Sequence, residues 1–475
     1  MSAVQIRTQS INKTILDEKI LYEFKNSLRG KIITVKDDDY DKLRKVWNGL
    51  IDKHPALIVL CAGAADVITS VNFAREQNIL LSVRGGGHNV AGRAVCDDGI
   101  VIDLSCMRGI RVDPVNQTVT VQAGATLGDI DHETYTFGLA VPFGLVSKTG
   151  IAGLCLHGGA GWLTRKYGLT LDNLLSVDIV TSDGKMRRAS ESENPDLFWA
   201  IRGGGGNFGI VTSFEFRAYP IPSKVWFAGP IYPVSEAKKV LRFAANYMKE
   251  APEELSLIAT FWNAPEVPKV PLEYQGSSII MLLGCYHGQF DKGPEIITPL
   301  REIAESIADL SEPMRFIDLQ KFLDDDYPDG MLYYWKSAYL RQLDDEVYDI
   351  MIDYANKRPS KRSNIDIWYG SGAINRVPSE KTAFARRDIK YMLAMEANWT
   401  DPEQSEANIS WARNCFEDMQ RFTSGSYLNF PGFMEDGDKL LQGAYENNFK
   451  RLQAVKAKYD PKNLFHGALN ITPKT

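Results

Sequence analysis

At 475 residues the chain is longer than one ordinary core supports, so two domains are expected. Its 44% hydrophobic and 24% charged content is that of a globular protein, and a net charge of −6 leaves no basic excess of the kind nucleic acid attracts. No run approaches the roughly 20 apolar residues of a bilayer span, and the polar N-terminus lacks a secretory signal's apolar core. Six cysteines without a CxxC pair point to free thiols in a reducing compartment. The expectation is a cytoplasmic protein, monomer or homodimer, with neither membrane nor nucleic acid as partner.

Along the chain, "AADVITSVNFAREQN" predicts an amphipathic helix with Val67, Val71, Phe73 and Ala74 on one side. "ILLSV" predicts a buried strand feeding a glycine run, and "GIVIDLS" and "RVDPVNQTVTVQAG" predict strands joined by tight turns. Composition shifts after Tyr219-Pro220-Ile221-Pro222. Beyond it, longer helices ("SEAKKVLRFAANYMKE", "SEANISWARNCFEDMQRF") alternate with strands ("SSIIMLLGCYHG", "NIDIWYGSG", "DIKYMLAMEANW"). The simplest organisation is a glycine-rich α+β domain over 1–221 with its core in 52–221, a second α+β domain over 222–443, and a terminal segment over 444–475.

Three glycine loops punctuate the first domain: "SVRGGGHNVAG" (Ser82–Gly92), "SKTGIAGLCLHGGAGW" (Ser147–Trp162) and "RGGGGNFGIVTSFEF" (Arg202–Phe216). Successive backbone N–H groups in such loops form an anion-binding concavity suited to a diphosphate. None is G-x-G-x-x-G between a strand and a long helix, and none is G-x-x-x-x-G-K-[ST], so a doubly wound nucleotide fold and phosphoryl transfer are disfavoured. Three such loops together favour a long, phosphate-bearing cofactor. His88, directly behind the first run, is open to several roles: metal ligand, base, attachment point or plain structural residue. The other histidines show no ligand spacing, so no metal is expected.

In order, the motifs "RGGGHN", "VIDLS", "AGATLGD", "TGIAGLCLHGGAGWLTRKYGLTLDNLLS", "IVTSDG" and "NPDLFWAIRGGGGNFGIVTSFEF" closely resemble the FAD-linked oxidases. Within them the chain resembles the berberine-bridge-enzyme-like group and its bacterial, 6-hydroxynicotine-oxidase-like branch. The resemblance implies a two-domain PCMH-type FAD-binding fold, with a substrate domain built on an antiparallel sheet flanked by helices. It implies FAD joined through a ring nitrogen of His88 to the flavin 8α-methyl, with contacts from Arg84, Gly85, Gly86, Gly87 and Asn89. It also implies contacts from Ser147, Thr149, Gly150, Gly153, Gly158 and Gly161, from Ile210 and Val211, and from Asn470 in a returning tail. Ala468 replaces the first asparagine of that tail's pattern. Members with a second, cysteinyl bond place the cysteine where this chain has Val146, and Cys155 lies elsewhere, so one covalent bond is expected.

The resemblance further implies hydride removal from a C–H bond next to nitrogen or oxygen, with a base for any O–H or N–H proton. "SYLNF" resembles the family's Y-x-N segment, which makes Tyr427 and Asn429 catalytic candidates. On "DIKYMLAMEANW", alternation puts Met392, Ala394 and Glu396 on one face; Ala394 stands where relatives carry a polar group, so Glu396 is the nearest substitute. Asp366 and Trp368 are expected either to face the same pocket or to be ordinary strand residues. Val90 and Ala160 stand where sugar-oxidising members have aromatics, which argues for a small hydrophobic amine, alcohol or phenolic substrate. Threonine at 149 leans towards molecular oxygen as acceptor, giving hydrogen peroxide. The alternatives are a dehydrogenase with another acceptor and a flavin-loaded binding protein with little turnover.

Overall fold

The computed structural model describes residues 4–10, 12–431, 438–467 and 469–474. The helix Ala64–Glu76 buries Val67, Val71 and Ala74, spaced four and three apart, and so presents one apolar stripe. It delivers the chain to the strand Leu81–Arg84, which pairs in parallel with Ile100–Asp103. Ile100–Asp103 also pairs in parallel with Leu57–Leu60, whose other edge takes Lys31–Ile33 antiparallel. All four residues of Ile100–Asp103 are buried, as expected for a strand covered on both faces. A second, antiparallel sheet runs in the order Met186–Ser190, Leu174–Val180, Ile210–Arg217, Thr118–Gln122, Ile110–Asp113. The first glycine loop leaves the end of Leu81–Arg84, and the third leads into Ile210–Arg217.

The later half of the chain builds a nine-stranded antiparallel sheet among the described residues. Leu255–Asn263, Asn364–Tyr369, Tyr391–Trp399 and Leu332–Leu340 lie side by side in that order, the last at the sheet's edge. Strand alternation sends Leu393, Met395 and Ala397 to one face, where Trp411, Cys415 and Met419 of the helix Ser405–Met419 cover them. The helices Ala237–Glu250 and Asp345–Asn356 pack on the same face. Leu241 and Met248 of the first are buried there, each a side chain whose burial contributes about 1.5–3 kcal/mol. The opposite face, carrying Thr260, Asp366 and Glu396, looks towards the glycine loops. The mixed α+β fold expected from the sequence is therefore present.

Buried polar clasps join the two halves. Arg165 donates to the carbonyls of Met248 and Ala251 at the C-terminal end of the helix Ala237–Glu250, where a cation is favoured, and to those of Pro252 and Leu255 just beyond it. Arg387 makes a bidentate pair with Asp172, both bonds 2.8 Å. Asn48 donates to the Val90 and Tyr333 carbonyls and accepts from Tyr333 N, tying the first loop to the large sheet. Asp131 accepts from Gln320 at 3.0 Å, and burial pushes its carboxyl up to about 7. A carboxyl whose folded pKa is raised gives full stability below about pH 4 and loses it as pH climbs through the folded value. Asp131→Asn should therefore raise the melting temperature at pH 8 relative to the parent and do little at pH 4, a comparison that differential scanning calorimetry makes directly.

The tail packs into the first core: Leu464, Phe465 and Ile471 share it with Ile210 and Phe214. Asn207 of the third glycine loop donates to the Leu469 carbonyl and accepts from Ile471 N. Lys456, 0% exposed, donates to the carbonyls of Asn207 and Phe465 and to Asp460, whose carboxylate also accepts the Leu464 and Phe465 N–H groups. Removing one partner of such a pair strands the other in an apolar interior. Asp460→Ala should cost about 3–5 kcal/mol in urea unfolding.

Candidate active site

A continuous cleft of about 1900 Å³, counting its open mouth, runs between the glycine loops and the inner face of the large sheet. Its floor exists because two glycine loops touch backbone to backbone. A Cβ on Gly86 would lie 2.5 Å from the Gly150 Cα, and one on Gly150 would lie 2.4 Å from Gly86 N. Gly87 turns the chain with φ +69°, which side-chain-bearing residues avoid, and so presents His88 to the cleft. Gly85 through Asn89 line the floor, as do Thr149, Gly150 and Gly153 of the second loop and Ile210 and Val211 of the third. Phe465 and Gly467 bring the tail to the same wall.

The His88 ring is half-buried, facing the cleft on one side. On the other it stacks on Trp47 at 4.1 Å between centroids, and Trp47 stacks on Tyr333 at 3.7 Å. Trp47 is fixed in turn by its indole N–H donating to the Tyr327 carbonyl at 2.9 Å. His88 Nε2 is buried and has no hydrogen-bond partner among the described residues. Loss of water lowers the imidazole to about 4, so the ring is neutral and nucleophilic at physiological pH. An immobilised, neutral ring with an orphan nitrogen, beside glycine loops that meet backbone to backbone, fits a bound flavin dinucleotide. Cys155 is buried, and burial, with the nearby Asp172 charge, pushes its thiol far up, which leaves it unreactive. Val146 lines the cleft with an inert side chain.

At the other end the walls come from the large sheet. Glu396, 3% exposed, accepts from Tyr327 Oη at 2.7 Å and from Asn364 Nδ2 at 3.3 Å. Asp366 is 7% exposed, and its Oδ1 has no hydrogen-bond partner among the described residues. Burial raises both carboxyls well above the ordinary range, and the charge of Asp366 raises Glu396 further. The glutamate is thus a desolvated, proton-holding group on an interior strand rather than a solvated edge residue. Tyr427 Oη accepts from Gly159 N and from Asn429 Nδ2, both at 2.9 Å. Burial holds its hydroxyl up to about 12, so at neutral pH it keeps its proton and offers it to the cleft. Asn429 also donates to the Leu154 carbonyl at 3.2 Å, which fixes the segment against the second loop.

Glu396, Tyr427, Asn429, Asp366 and Trp368 all line this cleft, together with Val90 and Ala160. Other candidates from the sequence have different partners. Arg84 donates to the Leu43 carbonyl and pairs with Asp103 at 3.7 Å. Ser147 gives its N–H and hydroxyl to Asp324, at 2.8 and 2.6 Å, bridging to the second half. Gly158 lies under the Tyr427 ring and Gly161 against the Phe143 carbonyl. Asn470 keeps a buried, unpartnered Oδ1, and Ala468 lies outside the described residues. Sequence inspection missed Trp47 and Tyr327, which reach the site from segments without motif or periodicity.

Residues 55–190 match the family model described as FAD binding domain, and residues 426–472 match the one described as berberine and berberine like. (R)-6-hydroxynicotine oxidase of Paenarthrobacter nicotinovorans is 31% identical over 471 residues, covering 94% of this chain and 98% of that protein. An FAD-linked oxidoreductase of Dictyostelium discoideum is 30% identical over 460 residues, covering 96% and 97%. Among solved structures, 6-hydroxy-D-nicotine oxidase from Arthrobacter nicotinovorans superposes with a TM-score of 0.85 at 29% identity, over 94% of this chain and 99% of the other. Glucooligosaccharide oxidase from Acremonium strictum, described with a 6-S-cysteinyl, 8α-N1-histidyl FAD, superposes at 0.84 over 96% of this chain and 99% of the other; at 22% identity this likeness concerns the fold alone.

Proposed function

Because the chain belongs to the FAD-linked, berberine-bridge-enzyme-like oxidoreductases, we propose that it is an oxidase whose FAD is bound covalently through His88 and through no cysteine. Its substrate is a small hydrophobic amine, alcohol or phenolic compound, oxidised at a C–H bond next to nitrogen or oxygen, with molecular oxygen as acceptor. FAD, when bound, supplies the two-electron acceptor for that hydride.

The observation that carries the reading is His88: a neutral imidazole, clamped by Trp47, with a buried nitrogen that nothing among the described residues satisfies. The chain's other residues divide the remaining work. Gly86 and Gly150 let two loops meet so that backbone N–H groups can receive a diphosphate. Tyr427, held by Gly159 and Asn429, donates a hydrogen bond to the substrate heteroatom. Glu396, once it has released its own proton, takes the substrate's O–H or N–H proton, its raised basicity suiting that role. Val90 and Ala160, being small and apolar, widen the pocket and remove stacking platforms for a sugar. We place the protein in the cytoplasm, in keeping with its free cysteines; no described helix is long and apolar enough to cross a membrane.

Acid precipitation tests the linkage. The pellet should stay yellow, and a peptide containing His88 should carry the flavin mass. A colourless pellet refutes the bond, and slow reoxidation of the reduced protein in air refutes the oxidase assignment in favour of a dehydrogenase.

A further inference from the structure

Resting on Glu396 as the proton acceptor, the segment that carries Tyr327 takes on a role in the reaction. Residues 315–331 form a strap between the strands Glu312–Met314 and Leu332–Leu340. The first half of the chain pins this strap at several points. Gln320 donates to Asp131 at 3.0 Å, and Asp324 accepts from Ser147 N and Oγ. Gly330 N donates to the Trp47 carbonyl and Gly49 N to the Met331 carbonyl, both at 2.9 Å. Tyr327, 6% exposed, sits between these pins, its ring edge-on to Trp335 at 5.6 Å between centroids.

Tyr327 reaches both ends of the site. Its carbonyl takes the Trp47 indole N–H at 2.9 Å, and Trp47 backs the His88 ring. Its hydroxyl donates to Glu396 Oε2 at 2.7 Å, while Asn364 Nδ2 donates to the same oxygen at 3.3 Å and to Tyr327 Oη at 3.5 Å. With both donors on Oε2, Oε1 is the oxygen turned to the cleft. A terminal carboxylate torsion is broad when free, so two donors on one oxygen select a single orientation. A donor on the carboxylate also favours its charged form, the form that accepts a proton. The other titratable groups facing this spot are Asp366 on the neighbouring strand, Asp326 on the strap and Tyr333 on Leu332–Leu340, with the Arg362 charge acting on the last two. Tyr333 gives its hydroxyl to the Pro328 carbonyl at 2.6 Å, away from Glu396. We propose that Tyr327 is a positioning residue for the reaction: its hydroxyl fixes Glu396 with Oε1 towards the substrate, and its carbonyl, through Trp47, registers that carboxylate against His88.

The test uses the purified holoenzyme and follows the protonated-carboxyl infrared band that Glu396→Gln removes, titrated through pH without substrate. In Tyr327→Phe the midpoint of that titration should move up by about one pH unit, a tenfold loss of the charged form at a given pH. Tyr333→Phe, which frees the Pro328 carbonyl and removes no donor from Glu396, should leave the midpoint in place. Flavin reduction by benzyl alcohol and by N-methylbenzylamine, followed by stopped flow, gives the kinetic counterpart. Tyr327→Phe should slow reduction about 10-fold with KM unchanged in the parent. It should add nothing in Glu396→Gln, because a residue that acts through the carboxylate has no effect once the carboxylate is gone. Tyr327→Met keeps the apolar volume and serves where the phenylalanine variant does not accumulate. An unmoved midpoint, an equal shift in Tyr333→Phe, or the same loss of rate in both backgrounds overturns the proposal. An unmoved midpoint beside a slow Glu396→Gln removes Tyr327 alone, whereas a shifted midpoint beside a Glu396→Gln as fast as the parent removes the proton-acceptor reading and the role of Tyr327 with it. Where neither compound reduces the flavin, the infrared comparison decides by itself.

Discussion

His88→Ala should yield a folded protein whose yellow colour passes entirely into the supernatant on acid precipitation. The side chain faces the cleft and lies against Trp47, so its removal leaves the glycine floor, Gly86 on Gly150, in place. Non-covalent FAD should still be recoverable with the native protein, because the loops and tail walls do not depend on the imidazole. What disappears is the tether that fixes the ring plane relative to Tyr427 and Glu396. A displacement of about 1 Å in a reacting centre costs on the order of 10²-fold in rate, and turnover should fall by about that factor. Gel fluorescence after acid treatment and flavin content of the native protein separate the two effects. An acid-stable flavin in this variant would exclude His88 as the attachment point.

Glu396→Gln should lower turnover by about 10²–10⁴-fold, the usual contribution of a positioned proton acceptor. The amide is the same size and can still accept from Tyr327 and Asn364, so the variant isolates proton transfer from packing. In the parent, a carboxyl raised by burial and by the neighbouring Asp366 must lose its proton before it can act as a base. Turnover should consequently rise with pH across the neutral range, later than an ordinary glutamate would allow, and that limb should disappear in the glutamine variant. A steady-state pH profile with flavin reduction followed by stopped flow makes the measurement. An unchanged ascending limb would assign the proton to another group.

Local chemistry made the individual elements of this protein legible from its residues alone. Glycine runs at fixed places, the helix stripe of Val67, Val71 and Ala74, and strand alternation at Met392, Ala394 and Glu396 all depend on spacing within a few residues, and each has its counterpart in the fold. The motif order carried the cofactor class for the same reason, since a cradle for a dinucleotide is built from contiguous backbone. The substrate end behaves differently. Asp366 and Glu396 are 30 residues apart in the chain and become neighbours only because their strands pair. Trp47 and Tyr327 come from segments with no periodicity; Trp47 stacks on His88, Tyr327 donates to Glu396, and the Trp47 indole N–H on the Tyr327 carbonyl joins the two across the interface between the halves. Desolvation decided the rest. A glutamate in a strand looks the same in sequence whether water or a tyrosine hydroxyl faces it, and only the closed packing of sheet, loops and tail removes the water that would have kept its acidity ordinary.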